Sequence, residues 1–193
     1  IAPSGLTSGN YAITFQDGAL TIAKAPLTVA ANSSGKTYDG IAWNGAPGAT
    51  YSGFVNGETA AALGGALSFA DSAQGAVNAG SYAIAPSGLS SGNYAITFQN
   101  GALTIAPRAI TVKTGDLTRV FGDANPSSGG LILAAGSLVG GDTLGNASLS
   151  SSATATSAAG QSFALAPDNA AFASGSAGNY AITYQNGTLT IAQ

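Results

Sequence analysis

Tyr94-Ala-Ile-Thr-Phe-Gln-Asn-Gly-Ala-Leu-Thr-Ile-Ala106 alternates apolar and polar residues on both sides of Asn100-Gly101. Period two marks a strand with one buried face, and Asn-Gly between two such runs is a strong signal for a tight turn. The stretch therefore reads as a β-hairpin with a type I′ turn, in which Phe98 faces Leu103, Thr97 faces Thr104 and Ile96 faces Ile105. One face is apolar and the other carries threonines. The same reading applies around Asp17-Gly18, with Phe15 against Leu20, and around Asn186-Gly187, with Tyr184 against Leu189.

Working outward, this block is a repeat. Ile1–Ala23 returns at Ile84–Ala106 with only Thr7 changed to Ser90 and Asp17 to Asn100, and a looser copy occupies Gly178–Ala192. A period of 83 to 86 residues is that of a small domain, not of a solenoid turn. The chain divides into 1–23, the C-terminal hairpin of a truncated preceding repeat, 24–106, a full unit, and 107–193, a second full unit. It reads as an excerpt from a longer repetitive protein, and the isolated hairpin is expected to fray or to dock on the first unit, because a lone hairpin is marginal in water.

Leu27-Thr-Val29 and Ile110-Thr-Val112 open the two units as strands, and Ala49–Phe54, Leu67-Ser-Phe69 and Ser81–Ile84 add further strands to the first. One segment predicts a helix: Asn56 caps it, Glu58 complements its dipole, Ala60-Ala-Ala62 propagates it and Gly64 ends it. Its counterpart, Gly140–Leu144, predicts a single turn. The fold class is thus mainly β with one short helix per repeat. Proline in Ala23-Lys-Ala-Pro26 and Ala106-Pro-Arg-Ala109 fixes its own φ and extends the residue before it, so neighbouring units are expected end to end with hardly any linker.

Composition narrows the function. The 193 residues include 5 Lys and Arg, 8 Asp and Glu and no His, Cys or Met, for a net charge of -3. No basic stripe exists to neutralise phosphates, so nucleic acid is not an expected partner. No apolar run approaches the roughly 20 residues of a membrane span, so no membrane insertion is expected in this segment. The absence of cysteine suits a chain exported unfolded. With neither His nor Cys, with Glu58 as the one glutamate and with no G-x-S-x-G elbow, no catalytic constellation assembles, and the chain is not expected to be an enzyme. Asp39, Asp123 and Asp142 stand singly, outside any calcium-loop pattern, so no cofactor is expected and calcium is left without a motif. The candidate ligand-binding residues are Trp43, in the turn-rich stretch Asp39–Gly45, with Tyr38 and Asp39 beside it, as a platform on which a sugar ring stacks. Tyr51 and Phe54 recur in kind as Leu133 and Leu138, the behaviour of core positions.

Lys36-Thr-Tyr-Asp-Gly40, Tyr51-Ser-Gly-Phe-Val-Asn-Gly-Glu-Thr59 and Ser91–Ala106 resemble the YDG-type repeat. Val120-Phe-Gly-Asp-Ala-Asn-Pro126 and Leu138-Val-Gly-Gly-Asp142 resemble the related MBG repeat of YGX type. Such repeats occur in very large bacterial surface proteins, including filamentous-haemagglutinin-like adhesins exported by two-partner secretion. The resemblance implies β-grasp-like or immunoglobulin-like small domains in tandem. It also implies an extracellular place on the bacterial cell surface, held through parts of the protein outside this segment. The implied role is that of stalk or spacer repeats in attachment, cell aggregation and biofilm matrix, in contact with neighbouring repeats of the same chain. The alternative is a repeat-borne binding module for matrix exopolysaccharide or a host or cell-surface glycan, and a third reading is homotypic adhesion through exposed strand edges.

Overall fold

A computed structural model describes residues 1–193 and shows two units on one plan. Unit 1 contains β1 (Ala25–Ala31), β2 (Ser34–Thr37), β3 (Ala49–Ser52), β4 (Gly64–Ala70), β5 (Gly80–Ser90), β6 (Tyr94–Gln99) and β7 (Gly101–Ala106). Unit 2 contains β8 (Arg108–Thr114), β9 (Leu117–Val120), β10 (Ser128–Ala135), β11 (Thr143–Leu144), β12 (Asn146–Ser150), β13 (Ser162–Asp168), β14 (Phe172–Ser174), β15 (Tyr180–Gln185) and β16 (Gly187–Ala192). Burial alternates as period two requires: Leu27, Val29 and Ala31 are inside on β1, and Leu103 and Ile105 are inside on β7 with Thr104 outside.

The alternation is present, but the hairpin is not. β6 pairs in parallel with β1, Ile96 opposite Leu27 and Phe98 opposite Val29. β7 pairs in parallel with β2, Ile105 opposite Lys36, at the same offset. The β1–β2 and β6–β7 segments are therefore two bent strands lying side by side over their whole length. Unit 2 repeats the device, with Ile110 opposite Ile182 and Leu117 opposite Leu189. None of Asn100, Gly101, Asn186 and Gly187 takes a positive φ, so no type I′ turn forms.

Gly101 supplies space instead. A Cβ there would stand 2.6 Å from the carbonyl oxygen of Ala31 and 2.8 Å from that of Asn32. At Gly187 it would stand 2.8 Å from the carbonyl oxygens of Thr114 and Gly115. Each glycine lets its strand bend against the bend of its parallel partner and cross from one sheet position to another. In unit 1 the two halves fall into separate sheets, ordered β3-β1-β6 and β2-β7-β5-β4. In unit 2 they form the two edges of one seven-stranded sheet, β15-β8-β10-β12-β13-β16-β9, beside a β11-β14 pair. Only Gly115 and Asp116 separate β8 from β9, so those edges lie close together and the sheet curls back on itself.

The expected helix is replaced by a single 3-10 turn at Ala60–Ala62, capped by Thr59 Oγ1, which accepts from the N–H of Ala61 at 3.4 Å. Asn56 adopts φ 55°, which stops a right-handed helix from starting there, and three alanines are too few to offset helix nucleation. Unit 2 has a turn at 140–141 shortly before β11, and its own 3-10 turn lies elsewhere, at Ala177–Asn179.

Ile1–Ala23 forms neither the expected hairpin nor any strand, and all of its residues are exposed. One rung persists, because Ile1 and Gly18 exchange N–H to O bonds of 2.9 and 2.7 Å. Their counterparts Ile84 and Gly101 pair between β5 and β7 in unit 1.

The apolar side chains collect in three clusters. Leu27, Val29 and Tyr94 form one at the start of unit 1, and Leu149, Leu165, Leu189 and Ile191 anchor another at the end of unit 2. The largest lies between them and draws on both units.

Candidate functional site

That middle cluster is a joint. Ile84, Leu103 and Ile105 of unit 1 pack in one core with Ile110, Val112 and Tyr180 of unit 2. The Tyr38 N–H donates to the Ala106 carbonyl at 2.8 Å, continuing the β2–β7 ladder by one rung and turning the ring toward unit 2. There it meets Tyr180 edge to face, with centroids 5.5 Å apart at 81°, and Phe172 stacks on Tyr180 at 5.1 Å. Tyr38 is 5% exposed.

Asp142 ties the rings together. Its Oδ2 accepts from the hydroxyls of Tyr180 at 2.7 Å and Tyr38 at 3.1 Å, while the Val139 N–H donates to the Tyr180 hydroxyl at 3.1 Å. Burial, followed by the bond to Asp142, pushes the Tyr180 hydroxyl up to about 12 and raises that of Tyr38 as well. Both phenols therefore remain protonated donors to the carboxylate at neutral pH. A second clamp lies beside them: Asn179, 4% exposed, accepts from the Ala79 N–H at 2.8 Å and donates to Asn78 Oδ1 at 3.0 Å. These charge-assisted and buried hydrogen bonds fix the angle between units, where apolar packing alone would tolerate slippage.

The Tyr38-Asp39-Gly40 sequence is explained locally. Asp39 accepts from the Ile41 N–H at 2.9 Å and pairs with Lys36 at 2.6 Å, and both contacts, the lysine first, hold its carboxyl below the usual range. Gly40 has φ +73°, and a Cβ on it would lie 3.5 Å from the Cα of Gly140 across the joint. Tyrosine crosses the boundary, aspartate sets the turn and glycine permits close approach.

The three candidate residues thus part company. Tyr38 is interior to the joint, Asp39 is a turn carboxylate, and Trp43 is half buried against the same cluster. The Trp43 ring lies beside Gly45, where a Cβ would approach within 2.6 Å, and its main chain bonds to Ala76 and Gly75. Tyr38 is closed off from solvent, while Asp39 and Trp43 stay partly exposed. The joint residues that sequence reading missed are Asp142, Asn179 and Tyr180. Their signal was the correspondence of Asp142 with Glu58 and the threefold Gly-Asn-Tyr-Ala-Ile-Thr motif. No group of three or more His, Cys, Asp or Glu side chains is arranged to hold a metal ion, and no helix is long and apolar enough to cross a membrane.

The family model described as the MBG domain (YGX type) matches residues 27–104 and 110–190, one match to each unit. The first match includes the Lys36–Gly40 stretch that resembles the YDG type. No curated protein matches the chain.

Proposed function

Because this chain belongs to the MBG domain (YGX type) family, with two tandem copies, we propose that it is a stalk segment of a secreted adhesin on a bacterial cell surface, serving attachment, aggregation and biofilm matrix. The role is mechanical and non-catalytic: stiffly joined repeats hold a binding tip away from the cell. The observation that carries this reading is the joint, where one apolar core and the Tyr38–Asp142 and Asn78–Asn179 contacts couple two domains that a flexible linker would leave free. The absence of cysteine is compatible with export as an unfolded chain. Each unit holds a parallel pairing of its first strand with its penultimate one, which favours a β-grasp-like description over a sandwich of two antiparallel sheets.

The rival is a module in which the repeats themselves hold exopolysaccharide or glycan. A glycan and exopolysaccharide binding screen with the 193-residue chain and its Trp43→Ala variant separates the two. The stalk reading expects no saturable binding by either protein. Binding by the native chain that Trp43→Ala removes would replace it with the binding-module reading.

A further inference from the structure

The two units differ in how one lateral seam is closed. In unit 2, β12 lies between β10 and β13, with Ser148 opposite Ser128 on one side and Asp168 on the other. The Leu149 N–H also donates to the Ser127 carbonyl at 2.9 Å. In unit 1 the counterpart strand, β4, pairs with β5 alone. Phe69 faces Pro86 as Leu149 faces Pro167, so Leu67 and Phe69 hold the places of Ala147 and Leu149. Ala147 and Leu149 are buried, whereas Leu67 and Phe69 are only half buried.

A proline opens the seam. Tyr51 faces Val29 as Leu133 faces Val112, which puts Pro47 where unit 2 has Gly129. Gly129 pairs with Ala147, and a Cβ on it would stand 2.8 Å from Leu149 Cδ1. Pro47 has no N–H for such a ladder and carries a ring where that place has no room. Its carbonyl accepts from Asn32 Nδ2 at 3.1 Å, and the Trp43 main chain bonds to Gly75 and Ala76, so the approach to β3 is led away from β4. β4 itself runs lengthwise, because Leu67 packs in the cluster at the start of unit 1 and Ala73, just past its end, packs in the joint. Unit 2 thus meets unit 1 past the end of β4, and a repeat placed before unit 1 on the same plan meets it past the start, which leaves the side of β4 uncovered by tandem neighbours.

We propose that the open edge of β4 pairs with the same edge of a second chain, antiparallel about a two-fold axis through Ser68. Gly64–Ala70 contains neither charge nor proline, the residues that guard most edge strands against pairing. An uncharged edge has little with which to select a foreign strand, yet it complements itself. In this register Leu67 of each copy lies opposite Phe69 of the other, Ala66 opposite Ala70 and Asp71 opposite Gly65, so no like charges meet although each chain carries a net charge of -3. One guard remains: the bulge between Gly65 and Ser68 confines the ladder to the residues around Ser68. So short a ladder covers less than the roughly 1,200 Å² of a stable interface, which makes one pair weak and lets several aligned repeats multiply it. Because β4 lies along the chain, the two chains point in opposite directions, as they would when projecting from facing surfaces. That consequence draws on the stalk reading; the pairing rests on the edge alone.

Sedimentation equilibrium of the 193-residue chain up to about 1 mM, in the range of small transient interfaces, tests it. The native chain should show mass rising with concentration toward a dimer. Ser68→Lys and Ser68→Glu each set like charges face to face across the axis and should weaken association at least tenfold, about 1.4 kcal/mol, whereas an equal mixture of the two should associate again. Circular dichroism should be unchanged for both variants, because Ser68 is exposed. In the cysteine-free background, Ser68→Cys should form a disulfide-linked dimer under mild oxidation, and Thr104→Cys, exposed on the inner strand β7, should not. Association that Ser68→Lys leaves intact, or a mixture of the charged variants that stays monomeric, would overturn the proposal. Monomers throughout, with Ser68→Cys linking no better than Thr104→Cys, would overturn it as well and leave the edge to a strand of another protein.

Discussion

Leu20 and Leu103 occupy the same place in nearly identical sequences, yet Leu20 is 71% exposed and Leu103 is fully buried. Ile22 and Ile105 differ in the same way, at 86% and 1%. Within Ile84–Ala106, β6 has β1 for its parallel partner, and β7 has β2 for its parallel partner and β5 for its antiparallel one, whereas Ile1–Ala23 keeps a single rung between Ile1 and Gly18. The difference teaches that this motif carries the face of a strand but not its partner. Propensity and alternation supply a β-surface, and burial against a distant segment decides whether the strand exists.

Substitutions at matched positions give the largest contrast. Leu103→Ala should cost about 2–5 kcal/mol in urea unfolding, whereas Leu20→Ala should stay within about 0.5 kcal/mol. Equal effects would mean that both copies are packed. The paired glycines come next: Gly101→Ala drives a methyl into the carbonyls of Ala31 and Asn32 and should cost about 1–3 kcal/mol. Gly18→Ala meets only the Ile1 carbonyl, 3.9 Å away, and should be close to neutral. A strong effect at Gly18 would indicate that the first copy bends against a partner as the second does.

A smaller effect follows from the three Gly-Asn-Tyr motifs, whose tyrosines range from 79% exposed at Tyr11 to 5% at Tyr180. Because the Tyr180 hydroxyl is raised in the folded state, its stabilising share is fully present below the unfolded value near 10 and is lost as pH rises toward about 12. Unfolding free energy measured against pH should fall across that window, and less steeply in Tyr180→Phe. The smallest effect expected is none at all. Thr7→Ser with Asp17→Asn makes Ile1–Ala23 identical to Ile84–Ala106, and far-UV circular dichroism should not change, since neither substitution supplies a strand for the segment to pair with.

The same distinction marks what could be read from the letters. The tandem units, the strand at Leu27–Val29 and the apolar face through Leu103 and Ile105 follow from period two and are all present. The pairing was misread because Asn100-Gly101 is a local signal that fits a hairpin and a bend equally well, while the β1–β6 ladder joins residues far apart in sequence with no local mark. The helix failed through Asn56 and the shortness of the alanine run. At the joint, Tyr38 stood out as an aromatic before a turn, but its partners Asp142 and Tyr180 lie in the other unit, so a face that reads as open to a ligand is covered by the neighbouring repeat.

The cysteine-free chain permits a direct test of the joint. Spin labels at Thr97→Cys on β6 and Thr183→Cys on β15, both exposed and at matching places in the two units, report the distance between them by electron–electron dipolar spectroscopy. A joint closed by Tyr38, Asp142 and Asn179 predicts one narrow distance distribution that broadens when Tyr38→Ala is added. A broad distribution in the chain that retains Tyr38 would contradict it.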